Sequence, residues 1–270
     1  MVDDGSTDGT IEMIRHDFPT VTVHRNEREP GYIGARNYAA EIAAADVIVS
    51  IDDDAELSSP RTVRQTLSDF DRPEVALVAV PYVDVKRNNE RRQHPPDEAT
   101  AYATWTYSGT AYAVRRDLFR ALGGYRTVFT RYGEETELCL RLLDAGFVTR
   151  LGTGDAIRHY ESQLRPRDAA LVYGQRAAIL LDCLTVPRSS LAGALALTIK
   201  QALIAAVASR RPVPVARGML LGLRDGVRHR SARQPVSDVV FELTRRLQSR
   251  AMPVDEVLTV IGRANAQAAA

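Results

Sequence analysis

The sequence predicts an α/β domain built on a mostly parallel sheet with flanking helices, continued by an α-helical C-terminal region. Three observations carry this. Short β-branched runs, such as residues 47–51 (VIVSI) and 75–80 (VALVAV), alternate with helical patterns over the first 165 residues, as in chains of βαβ units. After residue 165 the apolar spacing is helical throughout. The charge divides at the same place. Residues 165–270 carry 16 Lys and Arg against 7 Asp and Glu, and residues 1–164 carry 19 against 27. Two parts are therefore expected, an acidic domain over residues 1–165 and a basic helical region over residues 166–270.

The elements follow in order. A Gly/Ser/Thr/Asp cluster after Asp3 and Asp4 reads as a turn into a helix that begins near Ile11. Residues 21–24 (VTVH) read as a short strand, and residues 35–44 as an alanine-rich helix leading to the strand at 47–51. A helix is expected from about Pro60 to Phe70, then the buried strand at 75–80. Residues 83–101 are polar and contain Pro95-Pro96, which reads as a long loop. A strand at 111–114, a short helix at 115–121 stopped by Gly123-Gly124, and a helix at 136–145 with Gly146 at C′ come next. A strand at 147–151 and the segment Ile157-Arg158-His159 close the first part. The second part reads as helices at 168–184, 190–208, 214–228 and 236–249.

Composition narrows the function classes. Cys139 and Cys183 are too few for a disulfide framework and lack metal-ligand spacing. The opening Asp3-Asp4 is unlike a secretory leader, so none is expected. Residues 191–208 are apolar but carry Lys200 and Gln201 mid-helix, which predicts an amphipathic or core helix rather than a membrane span. No nucleic-acid reading motif accompanies the arginines, so nucleic acid is not expected as a partner.

The chemistry gathers at residues 47–57 (VIVSIDDDAEL), where a strand runs into Asp52, Asp53 and Asp54. In open α/β sheets ligands sit beyond the carboxyl ends of the strands. Asp52 and Asp54, two apart in extended chain, point the same way and suit a hard divalent cation, Mn²⁺ or Mg²⁺. A solvated acidic turn, or a Ca²⁺ loop using Glu56, is the alternative at this point.

Taken in order, VDDGSTDGT, GYIGARN, IDDDAEL, SGTAYAVRRDLFRALGGY, GEETELCLRL and a late histidine resemble the family 2 glycosyltransferases. The resemblance covers residues 2–160. It implies a GT-A fold, related to the Rossmann fold, and an inverting transfer. The sugar would pass from a nucleotide-sugar donor to a hydroxyl of a glycan or lipid-linked acceptor, as in cell-envelope polysaccharide synthesis. It implies that Asp52 and Asp54 form the DxD metal motif, that His159 helps hold the metal, and that Asp53 supports the donor. Asp3, Asp4, Arg36 and Asn37 would lie at the nucleotide, with Arg158 a further phosphate contact. Glu135 would be the general base and Glu134 the fallback, although glutamate stands where the family has aspartate. Trp105 and Tyr107 would stack on a sugar or fill the core.

The family ordinarily has a further strand and helix before VDDGS, so a sheet short of its first strand is expected, from an upstream start or a natural fragment. An inactive remnant, acting as a membrane-surface or complex-forming module, is the alternative function. The Arg-rich C-terminal helices suit an anionic membrane surface, which implies a cytoplasmic protein held peripherally on the inner face of the cell membrane.

Overall fold

In the computed structural model, residues 1–161 and 166–268 are described. The expected boundary at residue 165 lies outside them. The chain opens with β1 (Val2–Asp3), α1 (Thr10–Asp17) and β2 (His24–Arg25), and β1 pairs β2 in parallel. Both strands are two residues long, and the apolar positions of α1 stay unburied. Next come α2 (Tyr32–Ile42), β3 (Val47–Ile51), β4 (Ala55–Glu56), α3 (Thr62–Ser68) and β5 (Val75–Ala79). Every residue of β5 is fully buried, as its unbroken apolar run demands.

The segment expected as a loop over residues 83–101 instead supplies β6 (Tyr82–Asp84) and β7 (Arg91–Arg92), an antiparallel hairpin. Its charged residues hide it from a hydrophobicity pattern, as on many edge strands. After it run β8 (Tyr102–Thr104), β9 (Ala111–Arg115), α4 (Arg116–Ala121), α5 (Glu134–Asp144), β10 (Val148–Leu151) and β11 (Ile157–His159). Helix α5 starts two residues earlier than expected, behind Gly133 at φ 91°, which places Glu134 and Glu135 in its first turn. It ends as expected at Gly146 (φ 88°), with Gly146 N–H donating to Leu143 O and Phe147 N–H to Leu142 O.

The C-terminal part comprises α6 (Arg167–Thr185), α7 (Leu191–Ser209), α8 (Pro212–Arg228), α9 (Asp238–Ser249), β12 (Met252–Pro253) and α10 (Val254–Ala268).

The main sheet has the order β12-β8-β10-β5-β9-β3. It is mixed, which corrects the expectation of a mostly parallel sheet: β5 and β10 are its parallel neighbours, and the remaining neighbours are antiparallel. The reason is β9, which runs back between β3 and β5 and separates two strands that point the same way. A smaller sheet, β4-β11-β6-β7, stands beside it.

One core cluster joins Leu77, Tyr112, Phe119, Leu138, Leu142 and Leu180. A second joins Val75, Val78, Leu143, Leu243, Met252 and Val257. Each fully buried leucine contributes about 1.5–3 kcal/mol over an exposed one. Helices α9 and α10 thus pack on the main sheet, and β12 extends it. Helices α6 and α8 approach so closely that a Cβ at Gly218 would lie 2.5 Å from Val172 O. Arg176 of α6 pairs with Asp225 of α8 at 2.7 Å and donates to Val128 O at 3.0 Å.

Candidate active site

Strand β3 delivers the acidic triplet. Asp52 N–H donates to Thr110 O at 3.0 Å, and the chain then leaves the sheet. Asp52 and Asp54 are half-buried and Asp53 is exposed; the segment is a turn closed by Ala55 N–H donating to Asp52 O at 3.1 Å, not the extended chain expected, and the turn brings Asp52 and Asp54 to one side. His159, at the end of β11, is buried beside them. One ligand atom from each of Asp52, Asp54 and His159 lies within 4.8 Å of the others.

The histidine tests whether these residues fit a metal. Its Nδ1 meets Asp84 Oδ1 at 2.7 Å, and the Tyr82 ring stands edge-on to it at 5.8 Å. Its Nε2 is buried and makes no hydrogen bond, 3.3 Å from Asp54 Oδ1. An unpartnered imidazole nitrogen aimed at two carboxylates, with a carboxylate behind the other nitrogen, is a donor set for a divalent cation. Glu56 takes no part. It accepts from Arg158 at 3.2 Å and from Tyr160 at 2.6 Å, which removes the Ca²⁺-loop alternative. Burial raises the Asp52 carboxyl above its usual range; Arg36 opposes this and Asp54 adds to it.

Arg36 links the Asp52 side of the site to the Glu135 side. Its Nη2 donates to Asp52 Oδ1 at 2.5 Å and to Gly109 O at 2.9 Å, and its guanidinium lies 5.1 Å from the Tyr32 ring centre. Tyr32 and Arg36 are one helical turn apart on α2, hence on one face. Gly109 N–H donates to Glu135 Oε1 at 3.2 Å. A Cβ on Gly109 would stand 2.5 Å from Arg36 Nη1 and 2.9 Å from Glu135 Oε1, so a side chain there would push the ends of both groups aside.

Glu134 and Glu135 behave differently. Glu134 is buried, accepts from Tyr32 Oη at 2.5 Å, and leaves Oε2 without a partner. Glu135 is half-buried. Burial, with the neighbouring Glu134 charge, pushes its carboxyl up to about 8. That is a carboxylate tuned toward proton acceptance near neutral pH. Glu137, next along, is fully buried in an ion-pair group with Arg126 at 3.0 Å and Arg141 at 2.7 Å, so its work is structural.

The remaining predicted residues are placed elsewhere. Asp3 accepts from Gly5 and Ser6 N–H groups and shapes the turn after β1. Asp4 ties Asn26 and Gly31 together, at 2.8 Å each. Asn37 has a different task from the nucleotide contact expected of it: its Nδ2 donates to Tyr125 O and its Oδ1 accepts from Tyr125 N–H, both at 2.8 Å. Arg158 is turned to Glu56 rather than into the site. Tyr107 is core, bonded to the Tyr125 hydroxyl, and Trp105 packs against the second core cluster.

Sequence reasoning missed Asp84, Tyr32, Gly109 and Gln93. Gln93 accepts from Ser108 N–H and donates to Val80 O at 2.9 Å, bracing the Ser108-Gly109 turn. Tyr32 carried a signal in its spacing from Arg36. Asp84 and Gln93 sat in a segment that read as loop.

The fold is that of the GT-A glycosyltransferases, a mixed α/β sheet domain with a helical C-terminal region. Residues 1–129 match the family model described as Glycosyl transferase family 2. Among solved structures, the mannosyltransferase PcManGT from Pyrobaculum calidifontis, in complex with GDP-Man and Mn²⁺, is similar. Its TM-score is 0.52 at 19% identity, with 98% of this chain and 76% of that one covered. S. aureus TarS 1-349, in complex with UDP, gives a TM-score of 0.55 at 14% identity, covering 98% and 81%. GalNAc-T7 with UDP, GalNAc and Mn²⁺ gives 0.51 at 17% identity, covering 66% of this chain and 41% of that one. A comparison with curated proteins returned no match.

Proposed function

We propose that the chain is an inverting, nucleotide-sugar-dependent glycosyltransferase whose general base is Glu135. The carrying observation is a continuous polar chain. Asp52 is bonded to Arg36, Arg36 to the Gly109 carbonyl, and the Gly109 amide to Glu135. Donor side and base side are thereby held in one frame, which is what single displacement requires. The solved structures of similar fold that contain GDP-Man and Mn²⁺, or UDP, support a nucleotide-sugar donor.

Glu135 takes the proton of the acceptor hydroxyl as its oxygen attacks the sugar carbon from the face opposite the leaving diphosphate. Gly109 N–H fixes the orientation of the carboxylate. Arg36 fixes Asp52 and adds positive charge to the pocket. Asp52, Asp54 and His159 would hold a divalent cation, Mn²⁺ or Mg²⁺, which would offset the charge developing on the diphosphate. Asp3, Asp4 and Asp53 border the donor side, Asp3 and Asp4 through the loops they tie. The acceptor is a glycan or lipid-linked hydroxyl, and the enzyme works in the cytoplasm at the inner face of the cell membrane, on anionic lipid.

The test is nucleoside diphosphate release with Mn²⁺ across a panel of nucleotide sugars. Release from the wild type should be lost in Asp54→Ala and fall about 10²–10⁴-fold in Glu135→Gln. Undiminished release in Glu135→Gln would remove the base assignment. Tight Mn²⁺ binding without release from any donor would favour the inactive membrane-surface module.

A further inference from the structure

Helix α7 is apolar and almost wholly outside the core. Its 18-residue window has a mean hydropathy of 1.8, yet 6% of that window is buried. Leu197, Leu203, Ile204 and Val207 are exposed, and Ala202 is its buried residue. This overturns the core-helix half of the expectation for residues 191–208. Helix α8, which packs beside α7, also has an exposed apolar face. Val213, Leu220 and Val227, seven residues apart, are exposed along one face, and Arg217 and Arg224 fall between them on that face. The opposite face cannot turn outward. Gly218 and Gly222 are pressed on α6, where a Cβ at Gly222 would stand 2.7 Å from Ile179 Cβ.

We propose that α7 and α8 form a single docking face for an anionic lipid bilayer. The apolar ridge of Leu197, Ile204, Val207, Leu220 and Val227 enters the acyl boundary, and the cationic side chains reach the headgroups. The proposal rests on the membrane-surface part of the reading above and assigns the contact to a particular apolar ridge with arginines set into it.

Charge selects the occupant. Residues 191–233 contain eight Lys and Arg and one acid, Asp225. Asp225 is buried and paired with Arg176 and Arg224. Lys200, Arg217 and Arg228 are exposed and make no ion pair among the described residues. Two copies of such a face would repel each other, whereas an anionic surface attracts each cation. Interleaved apolar and Arg/Lys positions let the long stems lie along the ridge while their charges stay at the headgroups. A span through the bilayer is disfavoured by Lys200 and Gln201 at mid-helix. It is opposed too by the tether of Thr198 Oγ1 to Asp182 at 2.6 Å, which holds the inner side of α7 to α6.

The experiment is vesicle flotation of the full chain, with phosphatidylcholine alone and with added phosphatidylglycerol. The wild type should float with the anionic vesicles, stay unbound to the neutral ones, and be released by alkaline carbonate. Leu220→Asp with Val227→Asp, and separately Arg217→Glu with Arg228→Glu, should each cut binding about tenfold or more. Unchanged thermal melting and Mn²⁺ affinity would show that these variants remain folded. Absence of flotation, equal flotation with neutral vesicles, or retention after carbonate would each overturn the proposal, the last in favour of a span. Self-association abolished by Leu220→Asp, without vesicle binding, would overturn it in favour of a second copy. Soluble-donor turnover is read in a separate assay without vesicles, so failure of docking and failure of the sugar-transfer reading are told apart.

Discussion

The Tyr32 hydroxyl donates to Glu134 Oε1 at 2.5 Å, joining the first turn of α2 to the first residue of α5. Burial keeps the phenol above its usual range, so it remains a donor. Burial raises the Glu134 carboxyl above its usual range, and the Tyr32 bond opposes this in favour of the charged form; that charge adds to the burial that raises its neighbour Glu135. A tyrosine that does not face the acceptor thus contributes, through Glu134, to the basicity of the glutamate that would.

The first prediction concerns pH. The rising limb of kcat/KM should lie well above the ordinary glutamate value of 4.5, toward about 8. Glu134→Gln removes the repelling charge and should move that limb to lower pH. Tyr32→Phe should move it the same way, because a less ionised Glu134 repels less. A limb that stays in place in both variants would detach the titration from Glu135.

Stability should respond to the same carboxyl with a definite sign. In the folded chain Glu135 keeps its proton to about 8, and in the unfolded chain it loses it near 4.5. The unfolded state therefore binds fewer protons across this window, and the contribution of this group falls as pH rises through it. Urea unfolding at the two ends of the window should show the decline, reduced in Glu135→Gln.

Asp84 orients His159 through Nδ1, the usual second partner of a metal-binding imidazole. Asp84→Asn should weaken Mn²⁺ binding about 10–100-fold, read by electron paramagnetic resonance titration. His159→Ala should weaken it at least as much, and the double variant should add little to the worse single one.

Gly109→Ala places a methyl where Arg36 and Glu135 already stand. Turnover should fall by about 10²-fold, the scale of a small misplacement at a reacting centre. The Mn²⁺ affinity should change less, because of the three candidate ligands only Asp52 is tied to the turn, through Arg36 and Thr110. Equal losses in both would show that the turn supports the metal side as well.

How legible this was in the sequence depended on the length and polarity of each element. Strands β3, β5 and β9 were legible because each is five residues of apolar or β-branched chain, and α5 because its leucines recur on one face before Gly146. The acidic triplet and the Gly-Glu-Glu cluster were legible because their residue types are unusual at strand and helix ends. Asp84 was not, because β6 and β7 are short, charged and half-exposed. The mixed sheet was not, because strand direction is set by how β9 folds back, which no local pattern records. Strand β12 was hidden by having two residues, one of them a proline suited only to a sheet edge. The roles of Asn37 and Glu137 turned on partners 88 residues away in one case and four in the other.

The Arg176–Asp225 pair has a consequence for anyone who would re-engineer the chain. Arg176 holds α8 with one edge of its guanidinium and the Val128 carbonyl with another, five residues before the glycine that opens the base helix. The α7–α8 hairpin, proposed above to meet lipid, is therefore not an interchangeable address label. A transplanted targeting helix that lacked an acid at position 225 would strand a buried guanidinium, and the disturbance would arrive in the catalytic turn before any membrane was met.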